Sequence, residues 1–190
     1  ARRFFAPVLL SAEDCDTLVT LHVTNDTNAR WSGTARWSLE TLDGEVLRSG
    51  EQPVEAGPAS SVSLDPLALA DEVGEDTRRE VVLVYELWQG DNRLSLGIVP
   101  FVASKHLKLA EPELSTVLRE TQGEMVLEIT ARRLARFVWL ALEGADVIFS
   151  DNVFDLPAGR THAVRFTAPE GWSAEQVQDA LRVHSLIDSF

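Results

Sequence analysis

The chain has 190 residues, 45% of them hydrophobic and 25% charged, an ordinary globular composition with room for one large domain or two small ones. A net charge of −13 with a pI near 4.7 argues against nucleic acid, because a phosphate-backbone partner needs clustered Lys and Arg. No run of about 18 uncharged apolar residues occurs, so no membrane-spanning helix is expected, and the single cysteine, Cys15, allows neither an internal disulfide nor a multi-thiolate zinc site.

The first residues, Ala1-Arg2-Arg3-Phe4-Phe5-Ala6-Pro7, lack an initiator Met and carry too short an apolar stretch for a signal peptide. The expectation is a fragment or processed piece of a longer protein, placed in the cytoplasm. A first strand is predicted from Phe4 to Leu10, followed by Glu13-Asp14-Cys15-Asp16, read as a loop whose carboxylates suppress the Cys15 thiolate. Thr17 to Val23 is rich in β-branched residues and closes on the turn formers Asn25-Asp26-Thr27-Asn28. Ala35, Trp37 and Leu39 alternate with Arg36, Ser38 and Glu40, the period of two of a half-buried strand, and Asp43-Gly44 signals a hairpin into Val46-Leu47. Pro53, Gly57 and Pro58 are predicted to break the chain before a short strand at Ser61 to Leu64. Residues 65–80 read as a crossover in which Leu67, Leu69 and Val73 could form a short helix. Val81 to Trp88, a turn over Gln89 to Asn92, and Leu94 to Phe101 complete about seven short strands, the pattern of an immunoglobulin or fibronectin type sandwich.

A boundary is placed at Ser104-Lys105-His106, giving domains over residues 1–104 and 105–190. In the second, strands are expected at Leu114 to Arg119 and at Met125 to Thr130, joined by a Gln122-Gly123 turn, and at Thr161 to Phe166. The segment from Arg136 to Leu156 holds two apolar-alternating runs meeting at Glu143-Gly144, then a polar Ser150-Asp151-Asn152 corner before Phe154 and Leu156. It reads as strand, turn, strand and a corner bonded by its own side chains. Ser173 and Gln176 are spaced for a capping box, with Trp172 and Val177 in the staple positions, so one short helix begins there and ends before a strand at Leu181 to Leu186. The expected fold class is all-β: two tandem immunoglobulin/fibronectin-like antiparallel β-sandwiches with one short helix near the C-terminus.

Glycoside hydrolysis needs two carboxyl groups about 5–9 Å apart, and Asp146, Asp151 and Asp155 gather in one motif. An Asp beside Ser and Asn at a β-corner serves an Asx-type turn, so Ser150, Asp151 and Asn152 are read as a structural corner and no catalytic residue is assigned. The four histidines, His22, His106, His162 and His184, lack helical metal-ligand spacing, and neither metal nor cofactor is expected. No nucleophile elbow, phosphate loop or dinucleotide fingerprint is present. Aromatic faces can stack on sugars. Trp37 and Trp139, among apolar neighbours in alternating strands, are read as core, while Trp31 and Trp88 lie near turns, where exposure is open.

Three places carry a family resemblance: Ala1 to Leu10, the Phe137-Val138-Trp139-Leu140 run with Phe149-Ser150-Asp151-Asn152 and Phe154, and Val183 to Phe190. Together they resemble the C-terminal region of β-mannosidases of glycoside hydrolase family two, with Phe190 standing where Tyr is commoner. The resemblance implies the last two sandwich domains of a five-part enzyme whose catalytic glutamates sit in a (β/α)₈ barrel, and no position here matches those motifs. It implies a chain inactive by itself, with the barrel of its parent chain as partner, met by Arg2, Arg3, Phe4 and Phe5. Mannosides are reached only through that parent, with no nucleic acid or membrane partner. The alternative is a stand-alone carbohydrate- or protein-binding module.

Overall fold

A computed structural model describes residues 6–121 and 123–189. It divides into two compact units, Ala1–Lys108 and Leu109–Phe190. Every strand pairing is antiparallel, and the one α-helix among the described residues lies near the C-terminus.

The first unit holds β1 (Val8–Cys15), β2 (Leu18–Asn25), β3 (Trp31–Thr41), β4 (Val46–Ala56), β5 (Ser60–Ser63), β6 (Leu67–Ala68), β7 (Val81–Gln89) and β8 (Asn92–Pro100). One sheet has the order β1-β2-β5, with β6 also paired to β2; the other has the order β4-β3-β7-β8. Their inner faces interdigitate: Val8, Leu10, Val19, Leu21 and Val23 from one meet Ala35, Leu39, Val54, Leu83 and Leu87 from the other. The Asp43-Gly44 hairpin forms with Gly44 at φ 93°, where a side chain would be strained, and its N–H donates to the Thr41 carbonyl at 3.0 Å.

Two expectations change here, and the crossover takes its form without a helix. Cys15 is the last residue of β1 rather than a loop residue, since the tight turn at Asp16 (φ 55°) leaves Cys15 paired with Leu18. Strand β4 does not break at Pro53, which pairs with Thr34; β4 is an edge strand with no second neighbour to need the missing N–H. Residues 65–80 form no helix. Leu67 enters the two-residue β6, and Leu69 and Val73 are buried as plugs under the crossover.

The second unit holds β9 (Leu114–Thr121), β10 (Glu124–Ala131), β11 (Ala135–Leu142), β12 (Phe154–Leu156), β13 (Thr161–Phe166), α1 (Ala174–Ala180) and β14 (Leu181–His184). The sheets β13-β10-β9 and β12-β11-β14 enclose Leu127, Ile129, Val164 and Phe166 against Val138, Leu140, Phe154 and Leu156. The capping box is formed: the Ser173 Oγ accepts from the Gln176 N–H at 3.2 Å, and the Gln176 Oε1 accepts from the Ser173 N–H at 2.8 Å. Val177 is the helix's buried anchor, and Trp172 packs on the same core.

Two further expectations change. The run after Glu143-Gly144 is not a strand; residues 145–153 are irregular, with Ile148 92% exposed. One edge of β11 is paired with β14 from Trp139 to Leu142, and Glu143 donates its N–H to the Ala180 carbonyl, so no returning hairpin strand can take that place. The last strand stops at His184 rather than Leu186, because the Asp188 carboxylate takes the Ser185 N–H at 2.6 Å and winds a short 3-10 turn over Leu186–Ser189.

Candidate functional site

The sheet β12-β11-β14 carries the residues singled out by the sequence. β11 has a bulge between Ala135 and Val138, where Phe137 sits at φ 51°. An aromatic residue in the left-handed region is strained, and the bulge is held from both sides. The Asp155 Oδ1 accepts the Phe137 N–H at 3.1 Å and faces the Arg136 Nε at 3.3 Å, while the Arg136 guanidinium lies over the Phe137 ring at 4.6 Å.

Asn152 sits where the missing strand would have paired. Its Oδ1 accepts the Leu140 N–H at 2.8 Å and its Nδ2 donates to the Leu140 carbonyl at 3.0 Å. One side-chain amide thus replaces one peptide unit of a ladder, and the Leu140 pair also decides which end of the amide is oxygen. Ser150 exchanges two bonds with Arg165 of β13: its N–H reaches the Arg165 carbonyl at 2.7 Å, and its Oγ accepts the Arg165 N–H at 2.8 Å. Asp151 accepts the Asn152 N–H at 3.0 Å and meets the His162 Nε2 at 3.0 Å. Because a carboxylate accepts, Nε2 is the ring atom that carries the proton, and the imidazole also rests against the Phe154 ring at 4.3 Å.

The three aspartates of the motif therefore have separate surroundings: Asp151 faces His162, Asp155 faces Arg136, and Asp146 is exposed. The pairs His162 with Asp151 and Arg136 with Asp155 were missed by sequence reasoning. The first joins the β11–β12 connection to β13 and the second joins β11 to β12, and no local spacing signals either. Among the described residues no group of three or more His, Cys, Asp and Glu side chains gathers as a cation site would require. His22 bonds the Ser63 Oγ through Nδ1 at 3.0 Å, and His106 is exposed. Arg2, Arg3, Phe4 and Phe5 lie outside the described residues.

The tryptophans divide differently from the expectation. Trp139 is exposed rather than core, at 47%, and stacks on His184, its cross-strand partner, with ring centroids 5.3 Å apart and planes 24° from parallel. Val138 and Leu140 take the inner face, so the period of two turns Trp139 outward. Trp31, near a turn, is buried in the first unit's core, and Trp37 packs against that core part-buried. Trp88 is half-buried, with its Nε1–H on Glu86 and the Arg36 guanidinium 5.1 Å from its ring.

Comparison with known proteins agrees with this geometry. Residues 17–106 match the Mannosidase Ig/CBM-like domain family, and residues 109–189 match the Ig-fold domain family of mannosidases. No curated protein sequence matches the chain. Among solved structures, β-D-mannosidase from Dictyoglomus thermophilum is similar over 97% of this chain and 22% of its own, with 21% identity and a TM-score of 0.87. The exo-chitosanase CsxA of Amycolatopsis orientalis is similar over 97% of this chain and 26% of its own, with 15% identity and a TM-score of 0.65. At these identities the likeness is one of fold, and the chain spans about a quarter or less of the length of either relative. Among the described residues no helix is long and apolar enough to cross a membrane.

Proposed function

We propose that the chain, which belongs to the immunoglobulin-like domains of the mannosidases of glycoside hydrolase family two, is a non-catalytic accessory region of a β-mannosidase-like enzyme. The supporting observation is that the two family matches account for residues 17–106 and 109–189, with a separate closed core in each unit. In this reading the parent enzyme hydrolyses terminal β-D-mannose residues in the cytoplasm with a barrel outside this chain. The two sandwiches, one over residues 1–104 and one over 105–190, pack against that barrel and support it, and Arg2, Arg3, Phe4 and Phe5 meet it. Ser150, Asp151 and Asn152 hold the corner that stands in for a strand. The aspartate surroundings support the same reading, since a retaining or inverting acid pair needs two facing carboxyl groups, whereas Asp151 faces His162 and Asp155 faces Arg136.

The test is hydrolysis of p-nitrophenyl β-D-mannoside by the purified 190-residue chain. The expected result is a rate equal to the buffer blank, and turnover that follows the protein through purification refutes the reading.

A further inference from the structure

Asn25-Asp26-Thr27 is the one Asn-x-Ser/Thr sequence of the chain, the acceptor pattern for an N-linked glycan. An acceptor in use belongs on a surface loop, yet Asn25 is 0% exposed. It ends β2, and its Nδ2 donates to the Ala29 carbonyl at 2.9 Å, the Gly57 carbonyl at 2.8 Å and the Ala56 carbonyl at 3.3 Å. Its Oδ1 accepts the Thr27 N–H at 3.0 Å and the Thr27 hydroxyl at 2.7 Å. One buried amide therefore ties the end of β2 in one sheet to the end of β4 in the other, with both polar atoms of the side chain in use. The hydroxyl that the acceptor pattern requires is held by the same amide.

We propose that Asn25 is a glycan acceptor only on the unfolded chain, and that N-glycosylation and the fold of the first unit exclude each other. In the modification, Nδ2 forms a bond to the anomeric carbon of an oligosaccharide carried on a polyprenyl pyrophosphate. The bond from that carbon to the pyrophosphate oxygen breaks, the pyrophosphate carrier leaves with the electron pair, and Nδ2 gives up one proton. The product amide keeps a single N–H for three carbonyls, and it carries a sugar ring where those carbonyls lie within 3.3 Å. The ring has no room there, since Asn25 and Ala56 are both 0% exposed. The order of synthesis nonetheless leaves the acceptor open for a time. Thr27 and Ala29 follow Asn25 at once, but Ala56 and Gly57 lie 31 and 32 residues further on. At about 5–20 residues per second, Gly57 is made about 2–6 s after Asn25, and until then only local bonds hold the amide. The second unit encloses a core of its own and shares none of these bonds, so its fold stands outside the conflict. The proposal is independent of the accessory role, because glycan attachment and hydrolysis are measured separately.

The test translates the 190-residue chain behind a cleavable signal peptide in a lysate supplemented with microsomes, which supply the lipid-linked donor. The expected product carries one glycan, read as a mass gain that an endoglycosidase removes and that Asn25→Gln abolishes. Thr27→Ser, which keeps both the pattern and the hydroxyl, is expected to retain it. Limited trypsin digestion is expected to cut the glycosylated product at Arg36 and Arg48 of the first unit at least about tenfold faster than the unmodified product. Cutting at Arg119 and Arg165 of the second unit is expected to be the same in both. The folded chain purified from bacteria, given solubilised microsomes and their donor, is expected to stay unmodified. Absence of a mass gain on the nascent chain overturns the proposal, as does modification of the folded chain at Asn25, or a glycosylated product whose first unit resists trypsin as well as the unmodified one.

Discussion

Replacing Asn152 by Ala tests whether one side chain stands in for a strand. The substitution removes the acceptor of the Leu140 N–H at 2.8 Å and the donor to the Leu140 carbonyl at 3.0 Å, together with a third bond to the Val153 N–H at 3.0 Å. Leu140 is 2% exposed, so its freed groups gain little water. An unsatisfied buried polar group costs about 1–3 kcal/mol, and two of them at a part-buried site give a loss of about 2–4 kcal/mol. The assay is amide hydrogen exchange at Leu140 combined with urea unfolding of the second unit. A loss of about 2 kcal/mol corresponds to exchange about 30-fold faster where the amide opens with its unit. Asn152→Asp is expected to be no better, because it sets a carboxylate oxygen against the Leu140 carbonyl. The reasoning is refuted if Asn152→Ala lowers stability by less than about 0.5 kcal/mol with Leu140 exchange unchanged, since water would then be serving the same edge.

Ser173→Ala is expected to cost about 1 kcal/mol through loss of the helix cap, read as a lower urea midpoint of the second unit. Gly33→Ala is expected to destabilise the first unit by about 1–3 kcal/mol, because an added Cβ would lie 2.3 Å from both the Trp31 ring and the Trp88 carbonyl oxygen. Gly74→Ala, with nothing within 4 Å, is its control and should stay within about 0.5 kcal/mol. Glu113 carries a pH signature. Its hydrogen bond to Arg132 holds the carboxyl below its ordinary value of 4.5, opposed by desolvation and helped by Arg133. A depressed folded pKa means that the contribution is fully present above the unfolded value and is lost as pH falls through the folded one. The difference in urea midpoint between the native chain and Glu113→Gln should therefore be constant from pH 7 to about 5 and shrink at lower pH; a difference that widens on acidification would contradict the assignment.

Several parts of the fold were legible in the residues because their causes are local. Asp43-Gly44 supplies the positive φ its hairpin needs, and Ser173 with Gln176 satisfies helix N–H groups within one turn. The alternation of Ala35, Trp37 and Leu39 marks a strand with two unlike faces. Where the reading went astray, the cause was distant. Residues 145–149 alternate as a strand would, but a strand exists only with a partner edge, and β14 and the Asn152 amide already occupy both sides of β11. Pro53 is tolerated because β4 lies at an edge, a fact of sheet order rather than of the Pro. The Trp139–His184 stack was hidden for the same reason: the two residues are separated by 45 positions and meet only through strand register.

The sequence by itself determined the fold class, the turns, the capped helix and the likeness to mannosidase sandwich domains, since these rest on periods, turn chemistry and motifs within a few residues. Only the tertiary structure decided which face each strand presents, which edge each strand fills and which charges pair. Alternation divides residues into two sets, and burial of one set against a second sheet is what makes Val138 and Leu140 core and leaves Trp139 outside.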